Sequence, residues 1–370
     1  MDYLFYVVFF ICLFLYLHVI AHYRKGEDLE LFETDYAGVE TLQDSCNLLQ
    51  PLLVLGMKGI RALPDLDVLM DGNRSYNGSL RDMEMWRNGT GVLSSDLVDS
   101  MMPTPLPMSG ILGILSSDSS GRYVSEGNAE FLEESGYYKK IRKWGEEQLA
   151  PRFTLWTKLD VWMGGKGACT PLRYHSFYRQ FLVPRGGLIT VKLSPWKSRK
   201  YLHPFRNDLG MENLSPIVPW GGAKTDQVEE REKLKFLEVV VPEGRVLYLP
   251  PYWWYSVEFS RSDVVVYSYT YISPMNWLAN SEIWLRYLWA SRGVSGLSID
   301  FQGSSWGNDG KVGANRMEEW KDENTQLMDT IKNMDVDIDV GGGGHENVRK
   351  ETREDDSDSF SNPLMQTVDA

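Results

Sequence analysis

The period of hydrophobic and polar positions changes several times along the chain, and each change marks an element. Residues 3–21, YLFYVVFFICLFLYLHVIA, carry no charge, and a bilayer-spanning helix requires about 20 such residues. The stretch predicts an uncleaved anchor, because no positive n-region precedes it and it exceeds the roughly 7–15 residues of a signal-peptide core. From Lys25 to Leu63, DLELFETDY predicts a short strand, ETLQDSCNLL a helical turn or two, and QPLLVLG a buried strand. Residues 64–108 are rich in Asp, Asn, Ser, Gly and Met and predict an irregular surface insertion. Between Ser125 and Leu149, Phe131, Leu132, Tyr137, Tyr138, Ile141 and Trp144 recur at near-helical intervals broken at Gly136. Two short amphipathic helices ended by Pro151 are expected.

Beyond Pro151 the period falls to two. Strands are predicted at about 153–163, 171–183 and 187–193, separated by Gly-rich turns. The stretch GRVLYLPPYWWYSVEF, Gly244 to Phe259, reads as a strand stopped by Pro250 and Pro251, which cannot donate to a ladder. Tyr252, Trp253 and Trp254 follow, then a second strand, a polar SRSD turn and the strand VVVYSYTY, giving a hairpin of a small antiparallel barrel. MNWLANSEIWLRYLWASRG predicts a helix against the barrel or against a second copy of the chain in a homodimer. After Gly307 helical character persists only in RMEEWKDENTQLMDTIKN, and the composition from Asp335 to Ala370 predicts disorder. The organisation expected is an anchor over 1–24, a core over 25–275, a helical extension over 276–333 and an acidic tail over 334–370.

A chain of 370 residues that is 43% hydrophobic and 12% aromatic can bury one large core with additions. Its net charge of −13 argues against a nucleic-acid partner. Three cysteines, with Cys12 inside the apolar run, exclude a disulfide framework and leave Cys46 and Cys169 as an unforced pair. Arg24 and Lys25 follow the span and only Asp2 precedes it, which would place the globular part in the cytosol. Sequons at Asn73, Asn77, Asn88 and Asn213 point to the other side, as in a lumenal or envelope glycoprotein using the barrel as scaffold. Both orientations stay open.

Two stretches carry a family resemblance. Gly244 to Glu258 fits GxVLYxPxYWWxxVE, and Gly164, Gly167, Thr170 and Pro171 fit the frame Gly-x-x-Gly-x-x-Thr-Pro-x-His-x-Asp about 80 residues earlier. Together they resemble the cupin-like or JmjC-like 2-oxoglutarate oxygenases of the asparaginyl-hydroxylase type, over roughly residues 30–275. The resemblance implies a mainly β fold, a double-stranded β-helix (jelly-roll, cupin) barrel with flanking helices. It also implies two histidines and an aspartate around Fe(II). Here Arg173 stands where the first histidine would be, His175 where the aspartate would be, and Tyr255 where the second histidine would be. On the cosubstrate side Thr170 is retained, the lysine position falls on Leu188, and Lys192 lies four residues further as a substitute. Membrane-anchored, ligand-depleted proteins of large DNA viruses of algae and protists look similar, a likeness compatible with a viral origin that does not by itself show one.

The substitutions bear on chemistry. Non-haem Fe(II) oxygenases hold iron with two imidazoles and a carboxylate. A guanidinium has five donors and no lone pair, so Arg173 cannot ligate, and a phenol would have to lose a proton with an ordinary pKa of about 10. The expectation is a degenerate site at Arg173, His175 and Tyr255 with no metal or cofactor, in a protein that acts by binding or as a structural component. The alternative is an active hydroxylase with Fe(II) and 2-oxoglutarate, held by His175, Tyr255 and a ligand from elsewhere. The three side chains could form a self-satisfied polar plug, or clamp a carboxylate or phosphate through Arg173. His18 and His203 read as structural. No Ser-His-Asp arrangement, phosphate loop or cysteine-pair zinc motif is apparent.

Overall fold

The computed structural model describes residues 2–88, 101–207, 211–221 and 233–291. Period-2 segments form strands β1 (Phe32–Asp35), β2 (Leu52–Leu55), β3 (Asn77–Asp82), β4 (Thr104–Pro107), β5 (Tyr123–Ser125), β6 (Trp156–Gly164), β7 (Arg173–Tyr174), β8 (Arg179–Arg185), β9 (Leu188–Ser194), β10 (Phe205–Asn207), β11 (Glu212–Leu214), β12 (Leu237–Pro242), β13 (Val246–Leu249), β14 (Trp254–Phe259) and β15 (Val265–Ile272). Helices are α1 (Asp2–Ala21), α2 (Val39–Cys46), α3 (Leu66–Met70), α4 (Glu84–Asn88), α5 (Met108–Ser117), α6 (Ala129–Glu134), α7 (Tyr138–Gln148), α8 (Pro274–Ala279) and α9 (Ser281–Ser291). The fold is mainly β, with two sheets arranged as in a jelly-roll sandwich. One sheet runs β1-β2-β13-β8-β15-β6-β5-β3-β4 and the other β10-β11-β7-β14-β9-β12.

Consecutive strands change sheets, and this corrects three expectations. The run 171–183 is not one strand: β7 pairs with β14 and β11 in the smaller sheet, and after Ser176 to Tyr178 the chain enters β8 of the larger one. Nor do β13, β14 and β15 form hairpins, since β13 and β15 both pair with β8 while β14 lies between β7 and β9. Pro250 and Pro251 end the β13 ladder and turn the chain across the sandwich. The corner holds Tyr252 at φ 66, a left-handed conformation that a bulky residue adopts only when its surroundings impose it. Its N–H donates to the His175 carbonyl at 2.8 Å. Residues 64–108 are the third correction. They contain α3, and β3 and β4 extend the larger sheet at its edge, a contribution hidden because these short strands lack an apolar alternation.

The core lies between the sheets. Ile189, Val191, Leu193, Val239, Val241, Val257 and Phe259 of the smaller sheet meet Leu53, Leu182, Leu247, Leu249 and Val266 of the larger. Each such side chain contributes about 1.5–3 kcal/mol by burial, so this layer dominates stability. On the opposite face of β15, Tyr267, Tyr269 and Tyr271 donate to the carbonyls of Pro64, Ile141 and Gly145 at 2.9, 3.1 and 2.8 Å. The last two fasten α7 to the sheet. As expected, α6 and α7 separate at Gly136, whose φ of 75 suits glycine.

Helix α1 contains the 19-residue stretch Tyr3–Ala21, which is long and apolar enough to cross a bilayer, a property that a signal sequence shares. Helix α1 packs against α8. Cys46 and Cys169 are both buried and both free, so the pairing left open by the sequence is not made; burial pushes each thiol up to about 12. The helix expected near 316–333 and the tail lie outside the described residues.

Candidate functional site

Register places the three sequence-predicted positions on the inner face of the smaller sheet. Arg173 is opposite Tyr255 on one side and Leu214 on the other. Strand periodicity brings His175 and Glu212 to the same face. Gln180, Ser268, Asp160 and Trp162 look back from the larger sheet; Ser268 pairs directly with Asp160, while Gln180 and Trp162 lie opposite the neighbouring positions Thr270 and Val266 of β15.

Arg173 is 3% exposed. Its two terminal nitrogens fork onto the Glu126 carboxylate, with Nη1 to Oε2 at 2.9 Å and Nη2 to Oε1 closer still, and Nη1 also reaches Glu212 Oε2 at 3.1 Å. Arg81 completes the group, with Nη1 at 3.5 Å from Glu126 and 3.7 Å from Glu212. The guanidinium of Arg173 also stacks over the rings of Trp162 and Tyr255, at 5.0 and 5.5 Å. Two cations and two carboxylates balance. Burial works to raise the pKa of Glu212, but Arg173 and then Arg81 outweigh it and hold the group down at about 2. Burial likewise opposes the charge on Arg173, and Glu126 leads the groups that push its pKa well above its ordinary value.

Beside this quartet, His175 Nε2 bonds the Tyr255 hydroxyl. Gln180 Nε2 donates to the same phenol oxygen at 3.3 Å. The phenol proton therefore goes to the imidazole, which must carry its own proton on Nδ1; that atom is buried beside the Met211 backbone without a hydrogen bond of good geometry. Burial lowers the His175 pKa to about 3, with Arg173 adding to the effect. Burial raises that of Tyr255, against the pull of Arg173 and Gln180. The pair is a neutral imidazole and a neutral phenol.

The remaining predicted positions serve the frame or face elsewhere. Thr170 Oγ1 accepts the Val257 N–H at 2.9 Å, and Thr170 N–H donates to the Val257 carbonyl at 2.8 Å, so this side chain locks its loop to β14. Gly164 leaves room for Phe259, whose ring would lie 2.4 Å from an added Cβ. The offered cosubstrate positions do not reach the Arg173 site. Leu188 and Lys192 alternate with inward Ile189, Val191 and Leu193 and so project from the outer face of the sheet. There Lys192 Nζ donates to the Pro219 carbonyl at 3.2 Å, pairs with Glu238 at 3.5 Å and lies 4.6 Å from the Trp220 ring. The rescue by Lys192 fails because a one-residue phase in a strand changes the face.

With the geometry in hand, comparison with known proteins adds two partial similarities. No family model matches the chain. A stretch of 104 residues is 29% identical to a lysine-specific demethylase, JMJ30, of Arabidopsis thaliana. Another of 112 residues is 29% identical to JmjC domain-containing protein D of Dictyostelium discoideum. They support a JmjC-like, cupin-type domain. Each alignment takes in 27% of this chain and only 22% of the relative, so what those proteins do is not thereby assigned here.

The side chains at this site do not fit a mononuclear iron. Its one nearby imidazole spends Nε2 on Tyr255, Glu126 and Glu212 are engaged by arginines whose charge would repel a dication, and Asp160 accepts from the Gly127 and Asn128 N–H groups and the Trp162 indole. Among the described residues, no three His, Cys, Asp or Glu side chains gather closely enough to hold a metal ion. The plug envisaged from sequence named three side chains, of which only His175 and Tyr255 bond directly. Glu126, Glu212, Arg81 and Gln180 were missed. A charge argument could have found the acids: an arginine in a strand buried on both faces demands carboxylates. Nothing local shows which of the 51 acidic residues supply them.

Proposed function

We propose that this chain is a membrane-anchored cupin-like or JmjC-like domain, built as a double-stranded β-helix, that lacks Fe(II)/2-oxoglutarate oxygenase activity and works by binding or as a structural component. The observation that carries the reading is the forked, buried ion pair of Arg173 with Glu126 at the position where the resemblance implies a metal-binding imidazole. Replacing a ligand by a paired guanidinium converts a cation site into part of the packed interior. The anchor rests on Tyr3–Ala21, and α9, with exposed Leu285 and Trp289, is the surface through which a second copy would associate.

The test is cosubstrate turnover. Purified full-length protein supplied with Fe(II), ascorbate and 2-oxoglutarate should release no succinate above a protein-free control. Succinate release that disappears in His175→Ala would establish instead an active hydroxylase with atypical ligands.

A further inference from the structure

The end of the span is not joined to the domain by a loose tether. Tyr23 donates its hydroxyl to the Ala279 carbonyl in α8, and the His22 ring meets Tyr178 edge-on at 5.3 Å. Gly26 is pressed so closely to Leu49 that an added Cβ would lie 1.9 Å from its carbonyl oxygen. Between these contacts Lys25 Nζ sits 3.7 Å over the Trp196 ring and 5.2 Å from that of Tyr252. Lys25 follows Ala21 by four residues, so even a fully extended link places it within about 14 Å of the end of the helix. A headgroup layer is about 5–8 Å deep and the screening length at physiological salt about 8 Å, so this lysine lies within reach of a bilayer surface.

Trp196 opens the 3₁₀ segment Trp196–Tyr201, and the basic side chains that follow gather about it. Trp196, Lys197, Arg199, Lys200, His203 and Pro204 line an open depression of about 490 Å³. Arg199 packs over Trp196 at 5.1 Å and Lys200 over Tyr201 at 4.7 Å. Among the described residues, no carboxylate lies within ion-pair distance of Lys25, Lys197, Arg199 or Lys200. In a chain of net charge −13, four cations beside a tryptophan, with Glu27 near Lys25 as a partial offset, are a local exception that calls for an anion. Trp277 and Leu278 on α8, the helix against which α1 packs, are also exposed, and tryptophan is favoured at membrane interfaces.

We propose that Lys25, Lys197, Arg199 and Lys200, arranged around Trp196, form a headgroup-binding face for anionic lipid in the leaflet where the span ends. The inference rests on the anchor reading above and extends it. The span confines the domain to the surface, and the basic face fixes which side of the domain lies down. Phosphate and carboxylate groups are the chemistry recognised, and the bilayer is the source to which the short, docked link commits the site. The same cations would bias the domain towards the cytosolic leaflet, where anionic lipid is concentrated.

The test uses full-length protein in nanodiscs of phosphatidylcholine alone or mixed with phosphatidylserine. Amine labelling is read at Lys25, Lys197 and Lys200, with Lys139 and Lys140 of α7 as references; hydrogen exchange is read over residues 3–21. Each cation at an anionic surface is worth about fivefold in local binding, so labelling of the three lysines should slow several-fold in the mixed discs only. Arg199→Gln should reduce that slowing while residues 3–21 stay protected. Equal labelling in both discs with 3–21 protected would overturn the headgroup face and leave the anchor standing. Equally low labelling in both would point to an acidic stretch of the chain itself, such as EDDSD at 354–358, and would also overturn it. Slowing by inorganic phosphate in phosphatidylcholine discs to the same degree would assign a free-anion site instead. Exchange of 3–21 in both discs would remove the anchor and this inference together.

Discussion

Two groups of basic side chains set the terms of this molecule, and they differ in how their charge is answered. Between the sheets, Arg173 and Arg81 face Glu126 and Glu212; Arg173 and both carboxylates are shielded from water, and Arg81 is partly exposed. Beyond the apolar helix α1, Lys25, Lys197, Arg199 and Lys200 form no ion pair with a carboxylate among the described residues and lie beside an open depression. A buried charge must be matched inside the protein because desolvation is too costly otherwise. An exposed one can wait for a partner. The inner group is therefore read as structure and the outer group as a binding surface, although a search for basic clusters would rank them alike.

The largest effect expected separates the two groups directly. Arg173→Ala leaves two buried carboxylates without their main cation and should cost about 3–5 kcal/mol, seen as a lowered denaturation midpoint of the full-length protein in detergent. Replacing Arg173, Glu126 and Glu212 together by Met or Leu should recover much of that loss. A small effect of Arg173→Ala would break the comparison by showing the inner charges to be dispensable.

Acid should expose the same distinction. His175 titrates at about 3 in the folded chain against an ordinary 6.5, so the unfolded chain binds its proton first. Stability should be complete above pH 6.5 and decline as pH falls towards 3, by up to roughly 1.4 kcal/mol per pH unit. Glu212 titrates at about 2 against 4.5; its contribution is present above pH 4.5 and is lost as pH falls through 2. Unfolding followed from pH 7.5 to 4.5 should therefore show a slope that His175→Gln largely removes.

Smaller effects sharpen the picture. Tyr255→Phe deprives His175 Nε2 of its donor and leaves Gln180 Nε2 with Ser268 Oγ as acceptor, at about 1–3 kcal/mol for a buried group left without its partner; an unchanged midpoint would mean that the His–Tyr contact contributes nothing. Lys197→Gln should move the midpoint by less than about 0.5 kcal/mol, and its effect should appear only in anionic nanodiscs.

Much of this architecture could be read from the chain. The apolar run, the two α6–α7 helices and the positions of β2, β13 and β15 follow from period and from glycine and proline. The motif frame was legible as well: Gly164, Thr170 and the Pro250–Pro251 corner are explained by close packing, backbone locking and a sheet change. What stayed hidden depends on contacts between distant segments. Glu126 lies 47 residues from Arg173 and Glu212 lies 39, and no local pattern pairs them. The outward face of Lys192 turned on strand phase, which bulges and crossings shift by single residues. The assignment of β13, β14 and β15 to alternate sheets required tertiary packing, because a polar turn such as SRSD serves a hairpin and a crossing equally well.

The central claim is that a matched guanidinium occupies the place of a metal. Anaerobic titration of the full-length protein with Fe(II), followed by desalting and elemental analysis of wild type beside Arg173→His, measures it most directly. The account predicts no stoichiometric iron in the wild type, because Arg173 holds its carboxylates and Tyr255 holds the His175 nitrogen. One tightly held iron per wild-type chain would contradict it.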